Sequence, residues 1–317
     1  MMRPLEKGVA NLEHMAAVLT AQAENDPNLL IVTSDSRGSG KVGGFAERFP
    51  KQLVEVGIAE QNSVGISAGL ASCGKKVFTI SPGSFLSARA LEQVKNDVAY
   101  SKNPVALLGI SSGVSYGGLG ATHHSLHDLA ALLAIPDLDL IVPADNAETE
   151  AALLSYLENP RPVYIRFGKK AMPHFYESSK DVKIGNISIL NEGKDVLILA
   201  TGEPLAESYE AVTNLEKEGV SCSLVSVHTL SPFDETTVLD LASQTKAILT
   251  VEEHSVYGGL GSLVASLLME KRIWRPLGKI GFPREELVTG NQGEIFRHYG
   301  ISPYGIESYV TKMLKKV

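Results

Sequence analysis

Cysteine is nearly absent from this sequence: Cys73 and Cys222 are the two among 317 residues, and they lie far apart. A disulfide framework is thereby excluded, and a reducing, cytoplasmic compartment is the expectation. Long apolar runs are missing as well. No stretch approaches the ~18 apolar residues of a membrane span. Met1-Met2-Arg3-Pro4-Leu5-Glu6-Lys7 holds no apolar core of signal-peptide length. Basic residues are in deficit, with 29 Lys and Arg against 36 Asp and Glu, a net charge of -7. That balance offers nothing to hold a nucleic-acid backbone. Short-period repeats and low-complexity tracts do not occur.

What remains is an ordinary globular composition, 44% apolar and 21% charged. At about 150 residues per domain, the length suggests two domains. Leu12 to Ala23 has the spacing of an amphipathic helix, and Leu29 to Thr33 reads as a buried strand. The polar loop Ser34 to Lys41 follows. It fails as a phosphate-binding P-loop, because Asp35 replaces the first glycine and Val42 the magnesium-binding hydroxyl. Strands are then expected at Lys76 to Ile80, Val105 to Ile110, Asp139 to Val142 and Val163 to Arg166. Between them lie helical patterns at Ser84 to Tyr100, Ser125 to Leu133 and Asn146 to Leu157. This alternation argues for a parallel sheet covered on both faces. Lys169 to Asn191 breaks the rhythm and reads as a linker. A second series follows, with strands at Val196 to Ala200, Cys222 to Val227 and Ala247 to Val251. Its helices are expected from about Pro204 to Glu218, at Gly261 to Met269 and at Ile306 to Leu314. The fold class is two consecutive doubly wound α/β domains, 1–175 and 190–317, joined by a linker at about 176–189.

The stretch Val54-Glu55-Val56-Gly57-Ile58-Ala59-Glu60-Gln61-Asn62 organises the first domain. An apolar run ends in glycine, and the small, apolar segment Ser63 to Ala71 begins a helix. Glu60 thus enters that helix at the carboxyl end of a strand, the edge where open α/β sheets bind ligands. Two readings stand: a carboxylate that favours the helix dipole, or a buried one whose proton serves a cofactor. Tyr116 to His124 also follows a strand, and its glycines allow backbone to approach a ligand closely. His123 and His127 could share a helix face. Without an HExxH glutamate or a nearby cysteine, that spacing designates no metal site. Farther on, Tyr257-Gly258-Gly259-Leu260-Gly261-Ser262 is a partial dinucleotide fingerprint with Val264 in place of the third glycine. Tight packing of a helix on a sheet is its preferred reading.

Val56 to Asn62, Gly83-Ser84-Phe85, Gly120-Ala121-Thr122-His123 and Pro143-Ala144-Asp145 together resemble the pyrimidine-binding domain of transketolases. Val251-Glu252-Glu253-His254 with Gly258-Gly259-Leu260-Gly261 resembles the C-terminal domain of the same family. Order and spacing match over nearly the whole chain. The family's first domain holds the cofactor diphosphate through a Gly-Asp-Gly segment and a divalent metal, and this sequence has no Gly-Asp-Gly. The resemblance therefore implies the C-terminal subunit of a split, thiamine diphosphate-dependent transketolase. An N-terminal partner subunit would carry the diphosphate and Mg²⁺, and dimerisation of this chain would give an α₂β₂ complex. The implied reaction transfers a two-carbon ketol unit from a ketose phosphate to an aldose acceptor.

By the same resemblance, Glu60 hydrogen-bonds the aminopyrimidine ring of the cofactor, with Phe85 and Ile58 beside that ring. A proton on Glu60 favours the imino tautomer with which the cofactor deprotonates its own thiazolium carbon. His123 matches a histidine near the reacting carbon, placed to donate to a developing alkoxide. Asp35 and Ser39 match the polar loop that meets substrate, and Arg166 matches an arginine on the acceptor phosphate. Four positions depart from the family pattern. Ser111 and Leu119 stand where a substrate-contacting histidine and a hydroxyl-reading aspartate are expected, and Ala88 and Leu91 replace part of the aromatic wall. Their loss implies a modified, branched or sulfonated sugar rather than ordinary pentose phosphates alone. Rival readings are a deoxyxylulose-phosphate synthase-like or 2-oxoacid dehydrogenase β-subunit-like protein, a non-catalytic subunit, and a nicotinamide-binding protein built on Gly259 to Gly261.

Overall fold

In the computed structural model, which describes residues 4–316, the apolar runs become the inner strands of two sheets. The N-terminal half contains β1 (Lys7–Ala10), α1 (Asn11–Ala23), β2 (Leu29–Thr33), α2 (Gly43–Arg48), β3 (Leu53–Glu55), α3 (Glu60–Ser72) and β4 (Lys76–Pro82). It continues through α4 (Gly83–Ala88), α5 (Leu91–Gln93), β5 (Val105–Ile110), α6 (Asp128–Leu133), β6 (Asp139–Ile141), α7 (Asn146–Glu158), β7 (Val163–Arg166) and β8 (Ala171–Pro173). Strands β6-β7-β5-β4-β2-β3 lie side by side in that order, all parallel. Every residue of β2, β5 and β7 is buried, as a sheet covered on both faces requires. On one face Leu12, Met15, Leu19 and Tyr156 pack over Ile31, Phe78 and Leu108. On the other, α3 presents small residues, so its backbone comes close enough for Thr79 Oγ1 to donate to Ser67 Oγ at 2.6 Å.

The C-terminal half contains β9 (Ser188–Asn191), β10 (Val196–Thr201), α8 (Pro204–Lys217), β11 (Cys222–Ser226), β12 (Thr229–Ser231) and α9 (Glu235–Gln244). It ends with β13 (Ala247–Ser255), α10 (Leu260–Glu270), β14 (Leu277–Phe282), α11 (Gln292–His298) and α12 (Pro303–Leu314). The second sheet has the order β14-β13-β10-β11-β9, with β9 antiparallel to its neighbour and the rest parallel. β12 does not join it. It crosses to the first sheet and pairs antiparallel with β6. One apolar cluster likewise runs from Val64, Leu107 and Tyr164 through to Leu197, Ile248 and Leu260. The two domains therefore share both a sheet and a core.

β1, α2, α9, β14 and α11 are not among the elements expected from the sequence, and three of the expected segments take another form. The helix expected from Ser84 to Tyr100 is broken at Ala90, whose ψ of 16° leaves the helical range, and it finishes as a π-helix over Val94–Tyr100. The helix expected from Ser125 starts at Asp128 instead, because Ser125 N donates to Gly113 O at 2.8 Å and keeps that stretch extended. The region read as a linker is ordered by pairing. β8 pairs with β1, Ser178 and Asp181 close a capping box, and β9 pairs with β11.

Candidate active site

The carboxyl ends of β2, β3, β4, β5 and β7 open on one edge of the first sheet, and the loops leaving them meet there. Glu60 is the first residue of α3 and is only 1% exposed. No side chain caps that helix start. The Glu60 carboxylate instead accepts a hydrogen bond from Arg89 Nη1 at 2.5 Å, so its role is not helix capping. Arg89 still has helical backbone angles at the end of α4, one residue before the break at Ala90. Its side chain is 46% exposed, and its guanidinium lies 4.8 Å over the Phe85 ring.

Beyond Phe85 the aromatic contacts continue. The His123 ring meets Phe85 edge-on at 5.3 Å and Tyr116 edge-on at 5.3 Å. Lys169 Nζ sits 3.8 Å over the Tyr116 ring. Burial, followed by repulsion from Lys41, lowers the pKa of Lys169. Glu60, Phe85 and His123 thus belong to one strip that ends in a cation. Thr122 Oγ1 lies 2.9 Å from His123 Nδ1. His127 is not on a shared helix with His123: it precedes α6 and faces Ser87 Oγ at 3.4 Å.

The loop after β2 is held by Glu55. Its Oε1 accepts from Asp35 N at 2.7 Å and Gly57 N at 3.0 Å, and its Oε2 accepts from Arg37 Nε at 3.1 Å. Burial opposes ionisation of Glu55, but these donors outweigh it and lower its pKa. The clip fixes Asp35 at a φ of 53° and leaves it exposed at the rim, with half-buried Ser39 on the same loop. Ile58, between Glu55 and Glu60, is 74% exposed. On the floor, Ser84 and Ser111 carry buried hydroxyls with no partner, and Ser111 adopts a φ of 52°.

Arg166 stands elsewhere. Its Nε donates to Asp128 Oδ2 at 2.8 Å, and its Nη2 donates to the Ser125 and Glu253 carbonyls at 2.9 Å each. It is buried and ties the two domains together, with donors spent on protein groups rather than offered to an anion. Lys169, three residues further on, is the cation that β7 sends to the cleft. Sequence reasoning missed it, and its place just past the strand end was the available signal. Beside Arg166, Glu253 and Glu203 share Gln292 Nε2 at 2.9 and 2.6 Å. Burial raises both carboxyls, Glu253 to about 8, with repulsion from Glu203 adding to it.

The glycine loop of the second domain is filled from within. Leu260 N and Gly261 N donate to the two oxygens of Glu252 at 2.8 Å each. A Cβ at Gly259 would fall inside that carboxylate. Where a dinucleotide pyrophosphate would sit, the protein places its own acid, which removes the nicotinamide reading.

A buried carboxylate at a helix start, at the carboxyl edge of a parallel sheet, stands where open α/β folds bind ligands. The chain belongs to the transketolase family, which is thiamine diphosphate-dependent. Residues 7–174 match the pyrimidine binding domain of transketolase, and residues 185–306 match the transketolase C-terminal domain. An apulose-4-phosphate transketolase subunit of Phocaeicola vulgatus is 44% identical over 295 residues, covering 93% of this chain and 94% of that protein. A 6-deoxy-6-sulfo-D-fructose transketolase subunit of a Clostridium species is 36% identical over 253 residues, covering 80% and 79%. Among solved structures, a split gene transketolase described as an inactive beta4 tetramer superposes with a TM-score of 0.86 at 33% identity. It covers 97% of this chain and 99% of its own.

Proposed function

We propose that this chain is the pyrimidine-binding subunit of a two-subunit transketolase that moves a two-carbon ketol unit from a ketose phosphate to an aldose acceptor. The carrying observation is Glu60, buried at the strand end and linked through Arg89 to the Phe85 ring. The donor set suits an aminopyrimidine: a carboxyl to face a ring nitrogen, an aromatic face, and an exposed apolar residue, Ile58. When bound, the cofactor would supply a nucleophilic carbon and an electron sink for cleavage beside the ketose carbonyl. Glu60 holds a proton toward the ring nitrogen, and Phe85 keeps water from that face. His123 donates to the alkoxide that develops at the reacting carbon. Asp35 and Ser39 meet substrate hydroxyls, and Lys169 with Lys41 forms the anion-binding end of the cleft in place of Arg166. Ser111 and Leu119, small or apolar where the family has larger polar groups, support a branched or sulfonated sugar. The names of both relatives point the same way.

The described residues contain no cluster of three or more metal-ligating side chains. The proposal assigns the divalent metal and the diphosphate to an N-terminal partner subunit, with two copies of each chain in a cytoplasmic complex. The division of this chain at about 175 and 190 belongs to the same reading. Calorimetry with thiamine diphosphate and Mg²⁺ tests it, on this chain alone and then mixed with a candidate partner subunit. Tight binding in the mixture alone is the expected result. Tight binding by the isolated chain, or none in the mixture, overturns it.

A further inference from the structure

β14 is the outer strand of the second sheet, and among the described residues nothing pairs with its free edge. A hollow lies on each face of the sheet beside its first residues, and Pro276 and Leu277 line both. The larger, about 430 Å³, is closed by Leu268, Met269 and Trp274 on the α10 side. The smaller, about 280 Å³, is closed by Tyr309 and Met313 on α12. The helices cover opposite faces: α10 packs with Leu197 and Ile248, α12 with Ile198 and Leu249. Trp274, the sole tryptophan of the chain, is 68% exposed, and Met269 is 60% exposed. Arg275, Lys312 and Lys316 line the hollows, and no carboxylate does. In a chain of net charge -7 this local sign stands out. Lys279, in mid-strand, does not guard the edge, because its stem lies against Gly261.

We propose that the β14 edge takes up an extended segment of another protein by strand addition, anchored by two consecutive apolar side chains between carboxylates. Successive side chains of a strand point to opposite faces, so an adjacent apolar pair enters the two hollows at once. Main-chain bonds along the edge give affinity, and the hollows give selectivity. The cationic rim selects acidic flanks. It also argues against edge-to-edge pairing with a second copy of this chain, which would bring like charges together.

Trp274 reports the test directly. The full chain is titrated with acetyl-Glu-Asp-Leu-Phe-Asp-Glu-amide while tryptophan emission is followed. A saturable blue shift is expected. Moving the apolar residues apart, as Leu-Asp-Phe, puts both on one face and should weaken binding at least about tenfold, as should alternate N-methylation of the peptide. K312E/K316E, on an exposed helix end, should weaken the acidic peptide and favour its lysine-flanked analogue. No shift at millimolar peptide, or equal binding of the adjacent, separated and N-methylated peptides, overturns the proposal.

Discussion

Arg89 Nη1 donates to Glu60 Oε2 across 2.5 Å, and the same guanidinium lies 4.8 Å over the Phe85 ring. One half-exposed cation therefore occupies the two groups that the proposed function assigns to the cofactor ring. For the ring to enter, Arg89 must release both. The Arg89 side chain, 46% exposed, can swing into water, and the ring then takes its place on Glu60, whose side chain, 2% exposed, keeps a partner only if one replaces the other. Arg89→Met should tighten cofactor binding by up to about fivefold in calorimetry on the assembled enzyme. Weaker binding would make Arg89 a holder of the ligand rather than its competitor.

Glu60→Ala separates chemistry from architecture. The substitution strands no buried charge, because the Arg89 side chain reaches solvent. Turnover of the assembled enzyme should fall by at least about 100-fold, the lower end for a lost proton-transfer group, with the melting temperature nearly unchanged. Full activity would favour the non-catalytic reading.

Arg166 and Lys169 should part company when each is replaced by methionine. Removing Arg166 leaves the buried carboxylate of Asp128 without its main counter-charge, at a cost of roughly 3–5 kcal/mol, so the melting temperature should drop sharply. Lys169→Met should melt like the parent, yet raise KM for a phosphorylated acceptor about tenfold or more. Thermal melts and acceptor titrations on both variants decide the point.

Stability should fall as pH rises from about 6.5 to 8. Burial raises Glu252 to about 7 and Glu253 to about 8 from an ordinary 4.5. A carboxyl raised in the folded state contributes stability that is complete below its unfolded pKa and lost as pH climbs through the folded value. His228 and His254, pushed down to about 4 by burial, act in the opposite sense, but their contribution is already complete above 6.5. Melting curves should shift down by roughly 2–4 °C for each kcal/mol lost, and Glu253→Gln should flatten the slope. A parent melting temperature that is constant or rising across this window would contradict the assignment.

Gly259→Ala tests the filled glycine loop. The added methyl meets the Glu252 carboxylate and His254 Nδ1, neither of which has room to retreat. A loss of about 1–3 kcal/mol is expected, readable by chemical denaturation. An unchanged midpoint would mean that the loop is looser than its hydrogen bonds indicate.

The parallel strands were legible because β2, β5 and β7 are apolar almost throughout, and the place of Glu60 at a helix start after a strand because an apolar run ends in Gly57 before the small residues of α3. The breaks were not. Neither Ala90 nor Ser125 has a local helix-stopping residue, and Ser125 answers to a partner distant in sequence, the bridge to Gly113. Arg166 misled for a related reason. A terminal strand arginine reads the same whether it faces an anion or a buried aspartate, and only Asp128, 38 residues away in sequence, settles which. Lys169 went unremarked because its distinguishing neighbour, Tyr116, comes from another loop.

β12 sets a timetable for synthesis. The edge of β6 it covers is complete at Ile141, yet β12 itself begins at Thr229. At about 5–20 residues per second, a ribosome leaves that edge open for several seconds after the strand emerges. A truncated first half would keep it open for good, so the two halves make poor candidates for separate expression. They should be recovered together or as aggregate.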